Sequence, residues 1–143
     1  MTGQTPPDTV IYAIGDIHGR ADLLAAIHDR IATDASQRVA SQKTLIYLGD
    51  YVSRGPDSPD VVDRVMAWLP EDFMRVTLKG NHEDLLLRFL GGELDAGSLW
   101  FDYGGHDTLA SYGVRHSRPS GSQSGQPGHP ARALCHCPAA LTS

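Results

Sequence analysis

Short apolar runs alternate along the chain with longer segments in which apolar residues recur every three to four positions. The runs at Thr9–Ile14, Thr44–Leu48 and Phe73–Leu78 are rich in β-branched, aromatic and aliphatic residues, which is typical of buried parallel strands. The segments between them have the period of helices. A strand–helix–strand–helix–strand order predicts an α/β fold, with a parallel sheet joined by right-handed crossovers.

The predicted helices each have an apolar stripe that can face a core. They are predicted over Ala21–Ala35, Ser58–Leu69 and His82–Leu90, followed by shorter helical pieces at Ser98–Phe101 and Thr108–Tyr112. The predicted inward-facing residues are Leu23, Ile27 and Ile31 in the first helix, Val61, Val65 and Trp68 in the second, and Leu86, Phe89 and Leu90 in the third. Ser58 can cap the second helix with its hydroxyl. The proline that follows suits the first position of a helix.

The charge of the chain is distributed unevenly. Residues 1–113 hold all 17 acidic residues and 9 of the basic ones, whereas residues 114–143 hold three arginines and no acid. The second part is also rich in Ser, Pro and Gly and has neither helical nor strand periodicity. We therefore expect part of one domain at 1–113 and a disordered or frameshifted tail at 114–143. The acidic body argues against a nucleic-acid-binding surface.

Targeting and redox signals are few. No apolar run approaches the roughly 20 residues of a membrane span and no signal peptide is visible, so the cytoplasm is the predicted location. Cys135 and Cys137 are separated by one residue, a spacing that favours two unpaired thiols over a zinc site or a disulfide. The sequence gives no indication of an oligomeric state.

Polar side chains with metal-binding chemistry follow all three predicted strands. The segments are Gly15–Gly19 (GDIHG), Gly49–Gly55 (GDYVSRG) and Gly80–Glu83 (GNHE). Because the carboxyl ends of parallel strands lie at one edge of a sheet, we expect the three loops to meet there.

The residue types in these loops are those of a metal site acting on phosphate. Asp16 and His18 are two residues apart, so on an extended segment they would point the same way and bind one ion. Asp50 offers a carboxylate that can bridge two ions, and Asn81 offers a neutral oxygen suited to a hard or borderline cation. Two ions roughly 3.5–4 Å apart can hold a phosphoryl group and lower the pKa of a bound water.

His82 and Arg54 complete this interpretation. His82 is expected to donate a proton to the leaving oxygen, and the planar guanidinium of Arg54 matches phosphate oxygens. Taken alone, each residue has a structural alternative. An aspartate after glycine can belong to a turn or a helix cap, and Asn81 can be a helix N-cap. His18 can be a solvent-exposed loop residue, and Arg54 a surface cation. Three successive strand ends with the same design favour the metal site.

The three motifs resemble the leading signatures of the calcineurin-like metallophosphoesterases, and within them the phosphoprotein phosphatase branch with its bacterial serine/threonine phosphatases. They are also similar to the bacterial symmetrical diadenosine tetraphosphate hydrolases. The segment that follows the third signature in bacterial members is also similar to Trp100, Tyr103–Gly105, Thr108–Leu109 and Ser111–Gly113, so the resemblance covers residues 9–113.

The resemblance implies an αββα sandwich, of which this chain would form the N-terminal β-α-β-α-β half. It implies two divalent metal ions, commonly manganese, iron or zinc. Asp16 and His18 would bind the first ion, Asp50 would bridge both, and Asn81 would bind the second. Arg54 would be a phosphate clamp.

The resemblance also implies that His82 is the general acid, and here the chain departs from the pattern. Ser53 stands where the family usually has an aspartate that orients the catalytic histidine and stabilises its charged form. A serine can accept a hydrogen bond but has no charge. His82 is therefore expected to be a weaker acid unless Asp57, Glu83 or Asp84 replaces that aspartate.

The family completes its site with two later histidines at strand ends in a second sheet. No such strands are visible in this sequence; His106 does not correspond to these ligands, and His116, His129 and His136 lie in the tail. A reading frame lost near Val114 would account for the change in composition. The first sheet is then expected to expose an apolar face.

Three functions remain open at this point. The first is a metal-dependent phosphoester hydrolase resembling serine/threonine protein phosphatases, acting on a phosphoprotein or a small phosphoester. The second is a symmetrical diadenosine tetraphosphate hydrolase. The third is a truncated, inactive remnant that binds metal weakly.

Overall fold

Three parallel strands form the centre of the structure. The computed structural model of the protein describes residues 5–114. The strands are β1 Thr9–Ile14, β2 Gln42–Tyr47 and β3 Phe73–Thr77, in the spatial order β1-β2-β3. Both neighbouring pairs are parallel, so the predicted α/β arrangement is confirmed.

Helices follow each strand in the described part of the chain. They are α1 Ala21–Ser36, α2 Ser58–Ala67, α3 Asn81–Leu90, α4 Leu94–Asp102 and α5 Gly105–Ser111. The two short pieces predicted after the third helix therefore belong to α4 and α5. α2 ends before the predicted Leu69 because Trp68 already has an extended backbone, with φ −82° and ψ 112°. Pro70 follows shortly after, and it disfavours helical geometry at Leu69, the residue before it.

α1 and α2 pack on one face of the sheet. Because the strands follow one another in space, right-handed crossovers bring both connecting helices to the same face. The core there contains Ile14, Leu24, Ile31, Leu45, Tyr47, Val61, Val65 and Phe73. Val61 and Val65 are thus buried as predicted.

The buried face of α1 differs from the predicted one. Leu23 and Ile27 are 56% and 37% exposed, and the buried stripe runs instead through His28. The imidazole of His28 stacks on Trp68 with ring centroids 3.9 Å apart, and its Nε2 lies 2.8 Å from the hydroxyl of Tyr47. A histidine paired in this way can occupy a core position, which rotates the buried face of the helix.

The opposite face of the sheet carries exposed apolar side chains. Ile11, Met74 and Val76 are 43%, 67% and 38% exposed. Ile11 and Met74 lie in one row across Thr44, because all three are paired in the parallel register. The expected exposed apolar face is therefore present on the described part of the sheet.

Helices α3, α4 and α5 enclose a second apolar cluster, which contains Leu85, Phe89, Ala96, Trp100 and Leu109. Of the predicted inward residues of α3, Phe89 is buried and Leu86 is partly buried, but Leu90 is 48% exposed. The prediction for Leu90 is wrong because α3 turns the face that contains Leu85 inward instead.

The described chain ends at Val114, which packs on the cluster of α3, α4 and α5 and donates its N–H to the carbonyl of Leu109 at 2.8 Å. The predictions made for the tail, including Cys135, Cys137 and the tail histidines, lie outside the described residues. Between residues 5 and 114, the helices are all too short or too polar to cross a membrane.

Candidate metal centre

The loops that follow the first two strands are joined by backbone hydrogen bonds. The N–H groups of Ile17 and His18 donate to the carbonyl of Asp50 at 3.0 and 2.8 Å, and that of Gly19 donates to the carbonyl of Tyr51 at 2.8 Å. The loops also touch where no side chain fits, since a Cβ on Gly55 would overlap the carbonyl of His18. The first two loops thus form one unit, as the shared sheet edge predicted.

Four non-glycine residues of this unit have left-handed backbone geometry. The φ angles are 47° for His18, 55° for Asp50, 75° for Ser53 and 70° for Arg54. Such geometry is unfavourable for side-chain-bearing residues and concentrates at functional sites. It also corrects one argument from the sequence: His18 is not extended, so its position near Asp16 comes from the folded loop and not from strand alternation.

His18 presents one ring nitrogen that is suited to a metal ion. Its Nδ1 lies 3.0 Å from the carbonyl of Val52. A carbonyl can only accept, so Nδ1 carries the proton and Nε2 keeps its lone pair. Nε2 is buried without a hydrogen-bond partner among the described residues, and it lies 3.7 Å from Oδ2 of Asp16. An orphaned nitrogen beside a carboxylate is the chemistry of a metal ligand.

Asp50 and His82 lie beside His18. Each of the three residues offers a ligand atom, and these atoms all lie within 4.8 Å of one another. Asn81 is the first residue of α3, adjacent to His82, and its side chain is exposed. Imidazole and carboxylate groups suit manganese, iron and zinc alike, so the residues present fit a divalent cation without selecting one.

Asp50 is held at the N-terminus of α3. The backbone N–H of His82 donates to Oδ1 of Asp50 at 3.0 Å. A Cβ on Gly80 would overlap the same carboxylate, so only glycine permits this approach. The carboxylate of Asp50 therefore lies at the N-terminus of α3, where the helix dipole is positive.

Glu83 organises the second loop. Its carboxylate accepts the backbone N–H groups of Asp50 at 2.7 Å, Tyr51 at 2.8 Å and Val52 at 3.2 Å, and also that of Gly80 at 3.0 Å. The sequence indicated Glu83 only as one residue that could replace the aspartate beside His82. Its place three residues after Gly80 at a helix start is the capping pattern that could have indicated its role.

His82 is 2% exposed, and its ring is 4.6 Å from that of His18. Burial lowers the pKa of His82, and the neighbouring His18 and Arg54 lower it further, against the opposing charges of Asp50 and Glu83. Its Nε2 lies 3.5 Å from Nη2 of Arg54. The described residues therefore bring the two predicted catalytic side chains together.

In the family that the motifs resemble, an aspartate orients the catalytic histidine, and between residues 5 and 114 no side chain takes its place. Nδ1 of His82 is buried with no hydrogen-bond partner in the described part of the chain. The hydroxyl of Ser53 accepts instead from the indole Nε1 of Trp100 at 2.9 Å. Glu83 binds backbone N–H groups, and Asp84 pairs with Lys79, so neither of these replaces the aspartate.

The sequence also matches a family of known proteins. A sequence model of the family described as calcineurin-like phosphoesterase matches residues 9–127. The chain belongs to the calcineurin-like phosphoesterases. Its mixed α/β architecture with a three-stranded parallel sheet is consistent with half of the fold of these phosphoesterases.

Two curated bacterial relatives share one name. The chain is 44% identical over 77 residues to the symmetrical bis(5'-nucleosyl)-tetraphosphatase of Delftia acidovorans, covering 54% of this chain and 25% of that protein. It is 41% identical over 81 residues to the protein of the same name from Yersinia pestis, covering 57% and 25%. An uncharacterised protein of Caenorhabditis elegans is 32% identical over 96 residues, covering 62% and 36%. This phosphoesterase therefore matches between a quarter and about a third of the length of these relatives.

Proposed function

We propose that this phosphoesterase is a metal-dependent hydrolase that cleaves a phosphoester in a small substrate. The observation that carries the proposal is the convergence of ligand atoms from His18, Asp50 and His82 within 4.8 Å. Arg54, the predicted phosphate clamp, lies 3.5 Å from His82 at the same place. Membership of the calcineurin-like phosphoesterases supports hydrolase chemistry at this site.

The proposed ligands are Asp16 and His18 for one ion, Asp50 for both, and Asn81 for a second. Bound divalent ions would act as Lewis acids that polarise the phosphate and lower the pKa of a water molecule. Within the protein, the hydrogen bond that Nδ1 of His18 donates to the carbonyl of Val52 keeps the ring of His18 oriented with Nε2 toward the site.

Arg54 and His82 are proposed to act on the phosphate itself. The guanidinium would bind two phosphate oxygens, which orients the ester for in-line attack. His82 would give a proton to the leaving oxygen. A phosphate between the two side chains would raise the pKa of His82, which is low in the free protein because of burial, His18 and Arg54.

A dinucleoside tetraphosphate is the first candidate substrate, because two relatives are named symmetrical bis(5'-nucleosyl)-tetraphosphatases. A phosphoprotein is the second candidate, supported by the resemblance of the GDYVSRG and GNHE segments to phosphoprotein phosphatases. Location in the cytoplasm remains a prediction from the sequence.

The assay that separates these candidates compares a dinucleoside tetraphosphate with a phosphopeptide, each with added Mn²⁺. We expect faster release of product from the dinucleotide and loss of both activities in Asp50→Asn. Hydrolysis that persists unchanged in Asp50→Asn would contradict the proposal. Faster turnover of the phosphopeptide would exchange the two candidates.

A non-catalytic remnant that binds metal weakly is the remaining alternative, favoured by Nδ1 of His82, which is buried without a hydrogen-bond partner among the described residues while the hydroxyl of Ser53 is bound to Trp100. Calorimetric titration with Mn²⁺ distinguishes it from the enzyme. Two tight sites support the hydrolase, whereas one weak site or none supports the remnant.

A further inference from the structure

The loop that carries Arg54 is attached to α4 and α5 by three hydrogen bonds. The N–H of Ser53 donates to Oγ1 of Thr108 at 2.8 Å, and the hydroxyl of Ser53 accepts from Nε1 of Trp100 at 2.9 Å. The N–H of Arg54 donates to the carbonyl of Gly104 at 3.1 Å. Ser53 and Arg54 are thus held by α4, α5 and the turn that joins these two helices.

These hydrogen bonds act on an unfavourable backbone. Ser53 and Arg54 have φ angles of 75° and 70°, and such geometry persists only where surrounding contacts impose it. Ser53 and Trp100 are 0% exposed and Thr108 is 2% exposed, so water cannot replace their hydrogen bonds. Without Trp100 and Thr108 the loop would lose the contacts that hold this conformation.

The turn between α4 and α5 is shaped to receive the loop. Gly104 has a φ of 93°, and a Cβ there would lie 2.9 Å from the backbone nitrogen of Arg54. A Cβ on Gly105 would overlap the indole ring of Trp100. Both glycines therefore allow the turn to approach the loop and the indole closely.

We infer that Trp100 and Thr108 are positioning residues for Arg54, acting through Ser53 and the backbone. This inference rests on the proposed function, because it requires Arg54 to bind phosphate. Neither residue belongs to the cluster of ligand atoms that would bind the metal. Their substitution should therefore weaken phosphate binding and leave metal binding unchanged.

The test titrates the metal-free protein with inorganic phosphate, and NMR measures the binding. Thr108→Val removes the acceptor for Ser53, and Trp100→Phe removes the indole donor while keeping an aromatic ring in the apolar cluster. Arg54→Ala gives the reference affinity for phosphate when the Arg54 side chain is removed. Ser111→Ala is the matched control, because it removes another hydroxyl of α5 that binds the carbonyl of Thr108.

We expect Arg54→Ala, Thr108→Val and Trp100→Phe each to weaken phosphate binding about tenfold or more, with affinity rescued in Thr108→Ser. Phosphate should also shift the indole resonance of Trp100, one of the 2 tryptophans, and not that of Trp68. Hydrogen exchange at the amide of Arg54 should accelerate in Thr108→Val and not in Ser111→Ala.

Three outcomes overturn the inference, and they differ in what else they affect. Phosphate affinity that depends on Arg54 but not on Thr108 or Trp100 overturns the inference alone. Phosphate that does not bind, or binds equally well to Arg54→Ala, overturns the clamp in the proposed function together with the inference. A separate titration of Thr108→Val with Zn²⁺ that shows weaker metal binding would indicate a general structural role and would also overturn it.

Discussion

The backbone N–H of His82 donates to Oδ1 of Asp50 at 3.0 Å, which joins the loops after the second and third strands. The proposed acid therefore lies in the first turn of α3, and its backbone is bonded to the carboxylate that is proposed to bridge the metal ions. One oxygen of Asp50 is used by the protein, and the carboxylate keeps a second oxygen for a cation. Metal binding and the position of His82 are consequently linked through a single residue.

Asp50→Asn tests this relationship. The amide oxygen of asparagine can still accept from the N–H of His82, so the fold should be retained, but the negative charge is lost. We expect Mn²⁺ affinity to fall about 100-fold or more, measured by calorimetry. Metal affinity that stays unchanged while circular dichroism shows a native fold would contradict the assignment of Asp50.

Glu83→Gln should destabilise the loop that carries Asp50. The carboxylate of Glu83 accepts four backbone N–H groups, which a neutral amide satisfies only in part. We expect the free energy of unfolding to fall by about 1–3 kcal/mol, measured with urea.

Asp84→Asn is the matched control for that experiment. Asp84 is the next residue and is exposed to solvent in its ion pair with Lys79, so its loss should change stability by about 1 kcal/mol or less. Equal effects of the two substitutions would show that the backbone contacts of Glu83 contribute little.

Stability should depend on pH through His28. Burial lowers the pKa of His28 from 6.5 to about 4; the charge of Arg64 adds to this shift and that of Asp29 opposes it. The unfolded chain therefore binds more protons between these values, and stability is full above pH 6.5 and is lost as the pH falls towards 4. The shift corresponds to roughly 3 kcal/mol in all.

Urea unfolding of the metal-free protein at several pH values between 4 and 7 measures this dependence. The double variant His28→Phe with Tyr47→Phe removes the titrating ring and also the hydroxyl that would otherwise lose its partner. We expect a smaller slope of stability against pH in the double variant. The same slope in both proteins would assign the acid sensitivity to other groups.

Ser53→Asp should increase turnover. A carboxylate at this fully buried position can still accept from Trp100, and its second oxygen is expected to bind the orphaned Nδ1–H of His82. The added charge would raise the pKa of His82 and make it a more effective proton donor, with kcat rising about tenfold or more.

Ser53→Asn controls for size and for hydrogen bonding without charge. A rise in kcat with aspartate alone supports the electrostatic explanation. If the protein with Ser53 hydrolyses the substrate and Ser53→Asp does not raise kcat, His82 does not need the missing charge.

Local pattern was enough to predict the scaffold. Apolar runs of five or six residues separated by helical periods indicate parallel strands wherever they occur, and the carboxyl edge of such a sheet collects its loops. The sequence therefore determined the strands and the order of elements, and it predicted that the three loops meet at one edge of the sheet; the structure groups His18 and Asp50 there with His82. It misjudged α1, because the predicted stripe of Leu23, Ile27 and Ile31 left out His28, which Trp68 and Tyr47 shelter in the core.

Only the tertiary structure decided which groups hold the site in place. The hydrogen bond between Trp100 and Ser53 joins residues 47 positions apart. The backbone N–H groups that donate to Glu83 from the loop of Asp50 lie 31 to 33 positions earlier in the chain. Such partners depend on left-handed backbone angles and on the packing of separate helices. Neither is encoded in a short run of residue types, because each arises only when distant segments are brought together by the folded core.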